Sequence, residues 1–74
     1  MNANTTFSLY VRHVGGRAEA ARRLGISVGM VGHIEKGIRG ISPTVAMKVE
    51  ADSNGLVSRG QLRPDLWGTT AAVA

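Results

Sequence analysis

The segment Arg17-Ala18-Glu19-Ala20-Ala21-Arg22-Arg23-Leu24-Gly25-Ile26-Ser27-Val28-Gly29-Met30-Val31-Gly32-His33-Ile34-Glu35-Lys36 leaves few folds open to the chain. Its first part predicts a helix over 17–24, with Ala18, Ala21 and Leu24 on the inner face and Arg22 and Arg23 projecting outward. Gly25 stops that helix, because glycine takes a positive φ at no steric cost. Two residues on, Ser27 is a good cap for another helix whose Val31 and Ile34, with Met30, face the same core. A small residue where two helices cross (Ala21), a turn glycine (Gly25) and apolar residues that lock the second helix onto the first (Ile26, Val31, Ile34) meet the requirements of a helix-turn-helix.

Ahead of this segment, Thr6 is placed to cap a helix over 7–14. Phe7, Tyr10, Val11 and Val14 fall at i, i+3, i+4 and i+7 on one face, and Gly15-Gly16 ends it. Gly37 and Gly40 close the helix that Ser27 begins. Residues 44–51 read two ways. Val45, Met47, Val49 and Ala51 alternate as a strand does, with Asn54-Gly55 suited to a hairpin turn. Against that, Ser42-Pro43 offers a cap followed by a proline at the first helical position, and Val45, Ala46 and Val49 also make a helical face. The cap favours the helix. Ser58-Arg59-Gly60-Gln61 has the form of a capping box for a short last helix that ends near Arg63, ahead of Pro64. The expected architecture is an all-α bundle of four to five short helices over residues 6–67, followed by a flexible tail at 68–74. An α+β fold with a hairpin at about 45–62 is the alternative.

A chain of 74 residues supports one core, because the buried fraction of surface falls with size. Hydrophobic residues make up 43% of it, yet Phe, Tyr and Trp occur once each, so the core is built mostly from Ala, Val, Leu, Ile and Met. Such a core supplies about 3–5 kcal/mol, and without cysteine neither a disulfide nor a thiolate-bound metal reinforces it. A second copy of the chain is the expected supplement. No run approaches the roughly 20 apolar residues of a membrane span and the first residues form no leader, so a soluble cytoplasmic protein is expected. The net charge of +4 is uneven: six basic residues stand against two acidic ones in 1–40, and three against three beyond. The excess falls on the half that carries the helix-turn-helix, where a polyanion would be held; taken alone, the charge reads equally as a solvated basic face.

Val14-Gly15-Gly16-Arg17-Ala18, Leu24-Gly25-Ile26-Ser27, Ile41-Ser42-Pro43 and Leu62-Arg63-Pro64-Asp65-Leu66-Trp67 together resemble the Cro-like and YdaS-type antitoxin family of phage and prophage regulators, over residues 7–67. The Leu-Arg-Pro-Asp element is the specific part, since a generic helix-turn-helix has no need of it. The resemblance implies a lambda-repressor-like helical domain, dimeric operator binding and a phage or prophage setting; the hairpin alternative would be Cro-like. This chain departs from the family pattern in three ways. Val28, Gly29 and Gly32 stand at solvent-facing positions of the recognition helix where hydrogen-bonding residues are usual, Ile34 stands where Trp is frequent, and Ala20 where a larger apolar residue is. Each helix-interior glycine costs about 0.8–1.0 kcal/mol relative to alanine. Close approach of the helix backbone to DNA would account for Gly29 and Gly32.

On this reading the recognition helix, 27–36, lies in the major groove. Val28 is suited to a thymine methyl and His33 to a base edge or a phosphate. Ser27 and the free amides of the helix start suit a phosphate, although a cap satisfies helix amides with no DNA at all. Lys36 and Arg39 would reach the DNA backbone on the far side of the groove, Arg17 and Arg22 on the near side. His33 also reads as a plain surface residue, and His13 as an exposed helix residue. Leu66 and Trp67, past the last helix, either form part of a dimer contact or lock the chain end onto the first helix.

Two histidines twenty positions apart, no cysteine and no clustered acids give no recognisable metal site. Ser27, His33 and Glu35 lack an oriented triad or oxyanion hole, and Gly25, Gly29 and Gly32 follow no strand, so neither an enzyme nor a phosphate loop is expected, and no cofactor. The expected function is a sequence-specific repressor that binds palindromic double-stranded operator DNA as a homodimer, with half-sites one helical turn apart. Two readings compete with it: an antitoxin that neutralises a toxin partner and represses its own promoter, and a sequence-blind architectural DNA binder.

Overall fold

A computed structural model describes residues 3–67; the tail expected at 68–74 lies outside the described residues. Within them the chain forms six helices and no strand: α1 (Ala3–Val14), α2 (Arg17–Leu24), α3 (Val28–Glu35), α4 (Pro43–Asp52), α5 (Arg59–Leu62) and α6 (Pro64–Trp67). The all-α expectation holds. None of these helices is long and apolar enough to cross a membrane.

α1 starts at Ala3, not after a cap at Thr6. Thr6 is buried, and Ala3, Thr6, Phe7, Tyr10, Val11 and Val14 form one inner stripe, so the hydroxyl sits on the core side of a running helix instead of at its end. α2 has the expected bounds but is rotated: Ala20, Ala21 and Leu24 are buried, while Ala18 is exposed. α1 packs against α2, α3 and α5, and α4 packs against α2 and α5. Between them Phe7, Tyr10, Leu24, Val31, Val49, Val57 and Leu62 are almost wholly withdrawn from solvent.

The hairpin alternative for 45–62 is overturned. Ser42 Oγ accepts from the Val45 amide at 3.1 Å, Pro43 occupies the first turn, and Val45, Ala46 and Val49 turn inward while Met47 stays 47% exposed. Residues 45 and 49 sharing a face without 47 is helical spacing, not alternation. Asn54 (φ 53°) and Gly55 (φ 82°) then stop the helix in left-handed conformations. The buried Ser53 hydroxyl closes that turn by accepting from the Val57 amide at 3.2 Å.

The carboxy-terminal part is fastened by polar contacts. The capping box of α5 is complete: Gln61 N donates to Ser58 Oγ at 3.2 Å, and Ser58 N donates to Gln61 Oε1 at 2.9 Å. α5 ends at Leu62, ahead of Pro64 as expected, and Pro64 also begins the single-turn α6. Arg63 donates to the Ile41 carbonyl at 2.8 Å and to both Asp65 oxygens, tying the Leu62-Arg63-Pro64-Asp65 element to the loop before α4. Trp67 is half-buried against the core with the Arg59 guanidinium 5.4 Å from its ring centroid, while Leu66 is 49% exposed.

Candidate nucleic-acid interface

Gly25 has φ 71° and ψ 31°, and its amide donates to the Ala21 carbonyl, so the turn glycine does what its position requires. α3 follows at once. Ser27 is extended (φ −77°, ψ 156°) and its Oγ accepts from the Met30 amide at 3.0 Å; the capping role is therefore filled within the chain. Val31 and Ile34 seat α3 on the core, which leaves Val28, Gly29, His33 and Lys36 exposed along its other side, with Arg39 exposed in the loop beyond.

Gly32 does not join that side, which corrects the solvent-facing position expected for it. It is buried, and a Cβ there would lie 3.4 Å from Arg17 Nη1, so the guanidinium of α2's first residue covers the glycine. What holds Arg17 in place is Glu35, which accepts from Arg17 Nε at 2.6 Å and from Ser8 Oγ at 2.8 Å. One carboxylate on α3 thus gathers groups from α1 and α2. Ser8, Arg12, Gly15, Gly16, Arg17 and Glu35 line a polar groove of about 510 Å³ where the three helices meet. Arg12 was not among the residues expected at the interface. Its signal was present, since it falls off the apolar stripe of α1 just ahead of the glycine turn.

The cations of this half divide into two sets. Arg22 pairs with Glu19, and Arg23 pairs with Glu19 at 2.9 Å and Asp52 at 3.2 Å. Hydrogen bonds from Arg22, then Arg23, hold the Glu19 carboxyl below its ordinary range, and Glu19 in turn raises both guanidinium pKa values. Arg12, Lys36 and Arg39 are exposed and make no ion pair among the described residues. The basic residues of the other half are all engaged: Lys48 on the Leu24 carbonyl at 3.2 Å, Arg59 on Glu50 at 2.7 Å and Arg63 on Asp65 and Ile41. Of the two residues considered for a dimer contact, Trp67 is turned to Arg59 and the core, and Leu66 is left outward.

A small all-α body of this kind, with one side of a short, capped helix left exposed, belongs to the class of compact helical bundles. The family model described as bacterial toxin YdaS matches residues 7–71, and the chain belongs to that family. The description calls the family a toxin, whereas the family that the sequence motifs resemble carries the label antitoxin. Comparison with curated proteins gives no match, and comparison with solved structures gives none either.

Proposed function

We propose that this chain is a helix-turn-helix transcriptional repressor of phage or prophage type, acting in the cytoplasm as a homodimer on a palindromic operator. α3 enters the major groove with Val28 and His33 toward the bases, and Ser27, Lys36 and Arg39 on phosphates. Arg12 and the outer face of Arg17 serve the near-side backbone, and Arg22 joins them by exchanging Glu19 for a phosphate. The protein acts by occupancy, without chemistry or cofactor.

The observation that carries this reading is the sorting of cations. Those of the second half are spent on internal partners, while Arg12, Lys36 and Arg39 stand free around α3. Free cations gathered on one side of the molecule suit a polyanion-binding face. Selection of binding sites from random duplex DNA tests it. A palindromic motif with half-sites one turn apart is expected, and no enriched sequence would refute specific binding.

The family description favours a second reading, a protein-interaction role in a toxin–antitoxin pair. A chain that enriches no DNA sequence yet forms a stable complex with the product of a neighbouring gene fits that reading instead.

A further inference from the structure

Leu9 on α1 is 41% exposed and Leu56, in the loop before α5, is 61% exposed; both border a groove of about 530 Å³. Thr6, Val57, Gly60, Gln61 and Pro64 complete its walls, so the lining carries no ionisable side chain in a molecule of net charge +4. The other large exposed apolar residues lack this setting. Ile38 neighbours Arg39, Met47 neighbours Lys48 and Leu66 follows Asp65, while Val28 stands on the proposed DNA face.

We propose that this groove is the surface on which a second copy of the chain docks, about a two-fold axis, with Leu9 and Leu56 of each copy entering the groove of the other. Charge decides the occupant. A two-fold contact sets a patch against itself, so an ionisable group near the axis meets its like, and this lining has none to oppose. An exposed leucine beside an apolar groove is also self-complementary, ridge and hollow being supplied by the same patch. The placement suits the proposed function, on which this spacing argument alone rests. α1 packs against both α3 and α5, whereas α3 and α5 share no substantial packing, so pairing through α1 and α5 leaves both α3 helices uncovered. Bodies with extents of 35 × 25 × 19 Å, set side by side, are of the size to hold equivalent helices one DNA turn apart, about 34–36 Å.

Sedimentation equilibrium on the full chain, alone and as Leu9→Glu, Leu56→Glu, Leu56→Ala and Leu66→Glu, tests the proposal. The wild type should show a concentration-dependent monomer–dimer equilibrium. Leu9→Glu and Leu56→Glu should each weaken it by about tenfold or more, Leu56→Ala should weaken it less, and Leu66→Glu should leave it unchanged, all with the helical circular dichroism of the wild type. A wild type that is monomeric at every concentration would overturn the proposal. So would a dimer that survives both glutamates, or one that only Leu66→Glu dissociates. Loss of helicity in a glutamate variant passes the decision to Leu56→Ala, whose unchanged dimer would be equally fatal. Non-specific duplex binding separates the two readings: a dimer through this groove that binds no DNA removes the repressor and keeps the interface, and a strict monomer that binds DNA does the reverse.

Discussion

A Cβ built at Gly29 meets Ser27 Oγ at 3.9 Å, an ordinary contact, whereas one built at Gly32 meets Arg17 Nη1 at 3.4 Å. Packing therefore gives a partial reason for glycine at 32 and none at 29. Gly29→Ala should stabilise the fold, by less than the helix-interior gain of about 0.8–1.0 kcal/mol because Gly29 lies in the first turn of α3, and nothing has to move. If glycine is there so that the backbone can approach DNA, the same substitution should weaken operator binding. Thermal unfolding and binding isotherms on one preparation decide it: a variant both more stable and equally tight would remove Gly29 from the interface. His33 calls for the opposite pattern. Exposed on α3 while Ile34 turns inward, it should on replacement by alanine change stability by no more than roughly 0.5 kcal/mol and cost about 1–3 kcal/mol at the correct site. An unchanged ratio of operator to random-duplex affinity would exclude His33 as a reader, leaving Val28 and DNA shape to supply specificity.

Among the elements, α4 shows what local sequence decides and what it leaves to the fold. Val45, Met47, Val49 and Ala51 satisfy a strand pattern, while Ser42-Pro43 and the helical face of Val45, Ala46 and Val49 argue otherwise; the structure follows the cap, with Ser42 Oγ on the Val45 amide at 3.1 Å. Ser42→Ala should accordingly cost about 1 kcal/mol, measured by denaturant unfolding. A loss near zero would mean that tertiary burial of Val45 and Val49, not the cap, selects the helix. Pro64 obeys the same proline rule twice over, closing off α5 and opening α6, and α6 has no apolar periodicity of its own to announce it. Thr6 misled in the reverse sense, because a threonine ahead of an apolar stripe looks like a cap until burial shows the stripe to begin earlier, at Ala3. Helix bounds at α2, α3 and α4 were legible because a capping side chain, a proline or a glycine marks them. The state of each arginine was not, since Arg17 finds Glu35 eighteen residues away and Arg63 finds Ile41 twenty-two residues away, pairings that exist only after the helices assemble.

For the molecule as a whole, the polar link that joins α1, α2 and α4 makes stability depend on pH at both ends of the scale. The Tyr10 hydroxyl, in a fully buried ring, donates to Asp52 Oδ2 at 2.8 Å, and Arg23 reaches both Asp52 oxygens at 3.2 Å. The Tyr10 hydrogen bond, followed by that of Arg23, holds the Asp52 carboxyl below its ordinary range. Burial, followed by Asp52, pushes the Tyr10 phenol well above its own. A depressed acid contributes stability that is present above its unfolded pKa, about 4, and is lost as pH falls through the folded value. A raised phenol contributes stability that is present below its unfolded pKa, about 10, and is lost as pH rises toward the folded value. Tyr10→Phe keeps the ring and removes the bond, so near neutrality it should cost about 1–2 kcal/mol. The cost should shrink on acidification, as Asp52 protonates in the wild type, and shrink again in alkali, where the wild-type phenol works against folding and phenylalanine does not titrate. Glu19, Glu50 and Asp65, each held low by arginine, titrate in both proteins and largely cancel from the difference. Unfolding free energies of the pair across the pH range should therefore differ most in the middle and converge at both ends; a difference independent of pH would show that the hydroxyl contributes packing alone and is not coupled to Asp52.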